Sequence, residues 1–265
     1  MDLANITKAK ILEMLNEGKR MDGRGLLDFR DLEIETEASS KAEGSSKVKL
    51  GDTEVIVGVK MDLMEPYPDS PDEGVMMVTA ELSPLASDKF ESGPPGINSI
   101  TLARIVDRSI RESGLIDTKQ LCVEKGEKVW AVMIDISPIN DGGNLIDASS
   151  IAAVVALLNT KMPKLEEDKV KYGELTDKPL PLNKIPINLT AYKIGDHFIF
   201  DPISEEQEAS EMKLAVSLVF EKDKAIINGA LKEGDGSLTI TEVVETVEKM
   251  IKQGKKLHDK ISKFK

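Results

Sequence analysis

A chain of 265 residues with 40% hydrophobic and 31% charged side chains has enough apolar material for one large or two smaller domains, which excludes a disordered chain. Its 35 basic and 47 acidic side chains give a formal net charge of −12, which excludes broad, nonspecific nucleic-acid binding and leaves only a local basic stripe for such contacts. No apolar run approaches the roughly 20 residues that cross a bilayer, the opening Met1-Asp2-Leu3-Ala4-Asn5 lacks the pattern of a signal peptide, and the single Cys122 cannot form an internal disulfide, so a cytoplasmic protein without membrane contact is expected.

In chain order, a helix is predicted over residues 5–17, capped by Asn5 or Thr7, with Ile11, Leu12 and Leu15 on one face and Gly18 at its end. Leu32, Ile34 and Thr36 alternate as in a strand. Val48–Leu50 and Thr53–Val57 flank Gly51-Asp52, a two-residue hairpin signal. Another strand-like run covers Val75–Leu82, and after the loop Ser92–Gly96 a helix runs from about Asn98 to Ser113, closed by Gly114. Val129–Ile136 lacks polar alternation until its end and reads as a strand buried on both faces. The small residues of the following helix, Asn144–Asn159, predict close packing against a sheet.

Pro163, Pro179, Pro181 and Pro186 interrupt a polar stretch, which places a connection between halves there. The second half repeats the first in outline. Ile187–Ile194 and His197–Phe200 flank a second Gly-Asp turn, Gly195-Asp196, and strands near Lys213–Phe220 and Ala225–Leu231 follow. A final helix begins with the capping box Thr239-x-x-Glu242 and places Val243, Val247, Met250, Leu257 and Ile261 on one side.

Three features have chemical potential. Arg104, Arg108 and Arg111 fall at i, i+4 and i+7, opposite Leu102, Val106 and Ile110. That face reads either as solvated, with Arg108 paired to Glu112 and Arg111 to Asp107, or as a phosphate ladder. The turn Asn140-Asp141-Gly142-Gly143-Asn144 opens a helix, so its backbone N–H groups form either a plain connection or an anion nest. The acidic run Asp201–Glu208, with Glu211 beyond it, is either a solvated loop or a carboxylate cluster. His197 and His258 have no evident nucleophile or metal partner, and the lysines of the C-terminal helix suit its dipole, with RNA contact possible but not required.

Taken together, several stretches resemble the RNase PH family. They are Arg20-Met21-Asp22-Gly23-Arg24, the hairpin Gly44–Val55, Asp107–Ser113 and Ile139–Leu158, and the match covers roughly residues 20–260. Within that family, the proline-bearing segment after Pro66 and the run Arg108-Ser109-Ile110-Arg111-Glu112-Ser113-Gly114 look most like the non-catalytic ring subunit of the archaeal exosome. The resemblance implies an α+β RNase PH-like fold of two pseudo-repeated βαβα-type halves, similar to domain 2 of ribosomal protein S5, plus an N-terminal helix. The bounds it implies are 1–19 for that helix, 20–160 and 187–265 for the two RNase PH domains, and 161–186 for a linker.

It further implies a hetero-hexameric ring in which this chain alternates with a catalytic RNase PH-like subunit, RNA-binding cap subunits, and single-stranded RNA as ligand. The family's reaction is phosphorolysis, in which inorganic phosphate attacks the 3′-terminal linkage and a carboxylate-held metal steadies the transferring phosphoryl group. Active members follow the glycine turn with a hydroxyl residue and an arginine, where Asn144 and Leu145 stand here, and Gln207 falls about where an essential aspartate lies. The expectation is therefore a non-catalytic subunit with no catalytic residue, metal or cofactor of its own, binding RNA through Arg104, Arg108 and Arg111. The rival expectations are an active phosphate-dependent 3′–5′ exoribonuclease using Asp201 and neighbouring glutamates, and a scaffold that never meets RNA.

Overall fold

Alternation of apolar and polar residues builds most of the first sheet. In the computed structural model, which describes residues 3–166, 169–222 and 224–265, β1 (Leu32–Thr36), β2 (Gly44–Leu50) and β3 (Thr53–Met64) form an antiparallel meander. Leu50 pairs with Thr53, so the Gly51-Asp52 turn is the predicted two-residue hairpin. Thr53, Val55, Val57, Val59 and Met61 are fully buried along one face of β3. Beyond β4 (Val75–Ala80), α2 (Ile97–Ser113) and the short β5 (Cys122–Glu124) comes β6 (Lys128–Asn140), which lies between antiparallel β3 and parallel β4. Val129–Val132 are buried on both faces as predicted, while Asp135 is exposed.

The helix α1 (Leu3–Asn16) starts ahead of both predicted caps; the Asn5 side chain, like Met1 and Asp2, lies outside the described residues. Ile11 and Leu15 of α1 pack with Tyr192, Ile194 and Ile199 of the second half. Gly18, after α1, and Gly114, after α2, take left-handed φ values of 72° and 65°, as helix-ending glycines do.

Segment 161–186, expected as a linker, holds a hairpin, β7 (Lys161–Glu166) and β8 (Lys169–Pro179). Its prolines, which suggested a break, are accommodated at the strand ends or beside the register shifts around Pro163, where a missing N–H is tolerated.

The second sheet has the order β10-β9-β11-β12, from β9 (Pro186–Ile194), β10 (His197–Phe200), β11 (Met212–Glu221) and β12 (Lys224–Gly234). Ile194 pairs with His197 across the second Gly-Asp turn. The acidic run holds α4 (Ser204–Ala209), and the chain's long final helix is α5 (Ile240–Ile261), whose predicted capping box forms: Glu242 N–H donates to Thr239 Oγ1 at 3.2 Å and Thr239 N–H to Glu242 Oε2 at 2.7 Å.

The helix α3 (Leu145–Leu158) is buried from Ile146 to Leu157 and lies between the two sheets, against β2 and β3 on one side and β9 on the other. Its alanines and serines permit this, because a helix of large side chains would hold the sheets further apart. Alternation along the second sheet then separates two helical layers: Asn188, Thr190 and Ser217 face α2 and α3, while Leu189, Leu218 and Phe220 meet Gly254 of α5. The order is sheet, helices, sheet, helix, and one apolar core runs through both halves. The halves match in outline and differ in the helix between their strands, 17 residues in α2 against 6 in α4.

Candidate functional site

The glycine turn connects β6 to α3. Gly143 takes φ 93°, and a Cβ there would lie 2.5 Å from the Pro202 carbonyl oxygen, so only glycine lets the turn approach the second half this closely. Two of the N–H groups that would line an anion nest are engaged by the chain's own side chains. Gly143 N–H donates to Asp141 Oδ1 at 3.0 Å, and Asn144 N–H to Gln207 Oε1 at 2.8 Å. On the carbonyl side, Arg30 donates from Nη1 to Gly142 at 2.7 Å and from Nη2 to Gly143 at 2.9 Å.

Asp201 of the acidic run reaches the same place with a left-handed φ of 47° and a fully buried carboxylate. Its Oδ2 accepts from Arg30 N–H at 2.8 Å, Arg30 Nε at 2.9 Å and Arg24 Nη1 at 3.2 Å. Its Oδ1 accepts from Arg30 Nη2 at 2.6 Å and Asn144 Nδ2 at 3.0 Å. Asn144 Nδ2 also donates to Asp147 Oδ2 at 3.1 Å, so one amide bridges two buried carboxylates, and its Oδ1 has no hydrogen-bond partner among the described residues. Asp147 accepts from Thr190 Oγ1 at 2.8 Å and Thr190 N–H at 3.1 Å. Burial pushes its carboxyl up to about 7, although these hydrogen bonds pull the other way.

Beside this cluster, Arg20 and Glu206 form an ion pair with both side chains fully buried. Arg20 also donates to the carbonyls of Phe200 at 2.8 Å and Asp201 at 2.9 Å. The Arg20–Arg24 stretch of the first half thus clasps the Phe200–Glu206 stretch of the second.

A metal ion does not fit the residues present. Two guanidiniums adjoin Asp201 and would repel a dication, Gln207 is neutral, and Asp147 is turned to Thr190. Among the described residues, no three His, Cys, Asp or Glu side chains converge in a cluster able to hold one. Phosphate is disfavoured too. The cleft of about 150 Å³ at the turn is lined by Asp141, Leu145, Gln207, Lys213 and Glu233, and the lone ammonium is paired to Glu233 at 3.2 Å.

The arginines of α2 are arranged differently. All three are exposed, but the structure divides them. Arg111 binds Asp107 through Nη2 at 2.7 Å and Nε at 3.1 Å and donates to the Met76 carbonyl at 3.1 Å. Arg104 and Arg108 have no ion pair among the described residues, and the Arg108–Glu112 pair does not form. They border a cleft of about 130 Å³ between α2 and β12, whose floor includes Ser109, Asn188 and Ser217.

The remaining candidates lie apart. His197 meets Asn16 at 2.8 Å, the His258 ring meets that of Phe220 at a tilt of 54°, and Cys122 is half-buried and free. Of the acidic run, Glu208 pairs with Lys89, and Glu211 beyond it with Lys8. Sequence reading missed Arg30 and Asp147 and cited Arg20 and Arg24 only as a signature.

This two-sheet fold, with a glycine turn facing an acidic segment, defines a class of protein, and the chain belongs to it: the 3′ exoribonuclease family, RNase PH, whose domain 1 matches residues 28–163. More particularly, it is 43% identical over 264 residues to exosome complex component Rrp42 of Thermococcus kodakarensis, covering 98% of this chain and 96% of that protein. It is 44% identical to the Rrp42 of Archaeoglobus fulgidus, covering 99% and 98%. Among solved structures, an Archaeoglobus fulgidus exosome with RNA bound to the active site has a chain that superposes with a TM-score of 0.88 at 44% identity, covering 97% and 98%. An archaeal exosome core gives 0.86 at 41%, covering 98% of each chain. Rice Rrp46, at 15% identity and a TM-score of 0.67, shares the fold.

Proposed function

We propose that this chain is a non-catalytic ring subunit of an archaeal exosome, the 3′-to-5′ phosphorolytic RNA-degrading complex. It alternates with a catalytic RNase PH-like subunit in a six-membered cytoplasmic ring beneath RNA-binding cap subunits. It completes the partner's substrate groove and holds single-stranded RNA there. The likeness to Rrp42 chains along nearly its whole length supports the assembly.

One observation carries the inactivity: the groups that would perform phosphorolysis are engaged with each other. Asp201 is held by Arg24, Arg30 and Asn144, and the N–H groups of Gly143 and Asn144 by Asp141 and Gln207. Releasing Asp201 for a metal would leave the largely buried Arg30 guanidinium without a carboxylate, whereas Arg24 keeps Asp22. The substrate-facing residues are then Arg104 and Arg108, whose multi-donor forks are unpaired among the described residues and suit phosphate oxygens. Arg111, bound to Asp107, contributes less. Backbone contacts carry no base information, so little sequence preference is expected.

The test is to supply the purified chain with single-stranded RNA, Mg²⁺ and inorganic phosphate. No nucleoside diphosphate is expected, whereas the ring assembled with its catalytic partner releases it. Release by the chain alone would mean an active exoribonuclease.

A further inference from the structure

The C-terminal part of α5, with the 3-10 turn Ser262–Phe264 that follows it, departs from the rest of the molecule in charge. Residues 249–265 carry seven lysines and one acidic residue, Asp259, in a chain whose net charge is −12. At about 100° per residue, the buried stripe Thr246, Met250, Gly254, Leu257 and Ile261 fixes the orientation of the helix. Lys252, Lys256, Lys260 and Lys263 then fall within one sector away from the sheet, and all four are exposed. Lys252, Lys256 and Lys260 rise by about 6 Å each along the axis at 1.5 Å per residue, a step comparable with that between phosphates of an extended strand, and Lys263 follows three residues on in the 3-10 turn Ser262–Phe264.

None of the four has an ion pair among the described residues. Asp259, which lies between them in sequence, pairs instead with Lys255 at 2.9 Å. The first half of α5 carries the opposite sign, with Glu242, Glu245 and Glu248, so the lysines are segregated along the helix rather than interspersed with acids. The helix dipole accounts for lysines in the last turn, but its effect fades within that turn and does not reach Lys252 and Lys256. Four unpaired ammoniums in a row repel one another, a cost that a polyanion relieves.

We propose that this lysine row is a second RNA track, taking the phosphate backbone of a single strand without reading its bases. It lies on the α5 face of the second sheet, opposite the face that carries Arg104 and Arg108, so it engages a part of the strand remote from those arginines. The lysines are flexible point charges rather than bidentate forks, which suits a strand that slides. The proposal does not require the arginine face to bind RNA.

The test is fluorescence anisotropy of a labelled single-stranded oligoribonucleotide with the full-length chain over a series of NaCl concentrations. The variants are K252Q/K256Q/K260Q/K263Q and, separately, R104A/R108A, with thermal unfolding confirming that both remain folded. The lysine variant is expected to bind about tenfold or more weakly at low salt. Its slope of log affinity on log salt should be shallower by up to about 3 units, at roughly 0.7 per phosphate contact. Equal slopes for wild type and lysine variant, or no measurable binding by the wild type at low salt, would overturn the track. Loss confined to R104A/R108A would leave the arginine face standing and remove the lysine row. If the lysine variant binds RNA normally but no longer assembles with the catalytic partner, the row faces an acidic protein surface and the proposal is wrong.

Discussion

Arg20, Arg24 and Arg30 differ from Arg104 and Arg108 in everything except residue type. The first three donate at least nine hydrogen bonds, in part to carboxylates with no exposure. The other two project from α2 and meet no protein acceptor among the described residues. A buried guanidinium that loses its carboxylate leaves a charge in a low-dielectric interior, whereas an exposed one is already solvated. The first group therefore fixes structure, and the second is free for a ligand. On the proposed reading, a site that holds its own carboxylates this firmly serves as part of the frame.

The largest effect should come from breaking the clasp. Arg20→Ala leaves Glu206 buried and unpaired, and about 3–5 kcal/mol of stability should be lost in urea denaturation. A loss below about 1 kcal/mol would mean that the halves are joined by the shared core alone.

Next comes Asp147. Burial holds its folded carboxyl near 7, against about 3.9 in an unfolded chain. The folded state therefore binds this proton more tightly, and the associated stability is complete below about pH 4 and lost as pH rises through about 7. Asp147→Asn removes that dependence. Relative to wild type, the variant should gain stability from pH 5 to pH 8, by on the order of a few kcal/mol. A difference that is constant with pH would contradict the assignment.

Leu145→Arg restores the family's arginine beside the turn. With Asp201 still held by Arg24 and Arg30, the variant should release no nucleoside diphosphate from RNA with phosphate and Mg²⁺. Turnover would show that the missing arginine alone silences the site.

How far the sequence revealed all this depends on the distance between partners. Both Gly-Asp hairpins, the α5 capping box and the small-residue helix α3 were legible, because each is decided within a few residues. The β7–β8 hairpin was not, since its prolines imitate a linker while its register shifts accommodate them. The clasp was hidden because Arg20 and Glu206 are 186 positions apart and Arg30 and Asp201 are 171 apart. Likewise, the spacing of Arg104, Arg108 and Arg111 predicted one stripe, and only the fold shows that Asp107 and the Met76 carbonyl hold the third.

The smallest effect on stability should be the most telling for function. Arg104→Ala with Arg108→Ala should change folding stability by no more than about 0.5 kcal/mol each. The direct test of the account is RNA affinity against salt for the ring assembled with its catalytic partner. With both arginines replaced, the slope should become shallower by about 1.4 units, two phosphate contacts at roughly 0.7 each, and Arg111→Ala should change it less. An unchanged slope for the double variant would mean that the arginine face never meets RNA and that the chain serves the ring as a scaffold only.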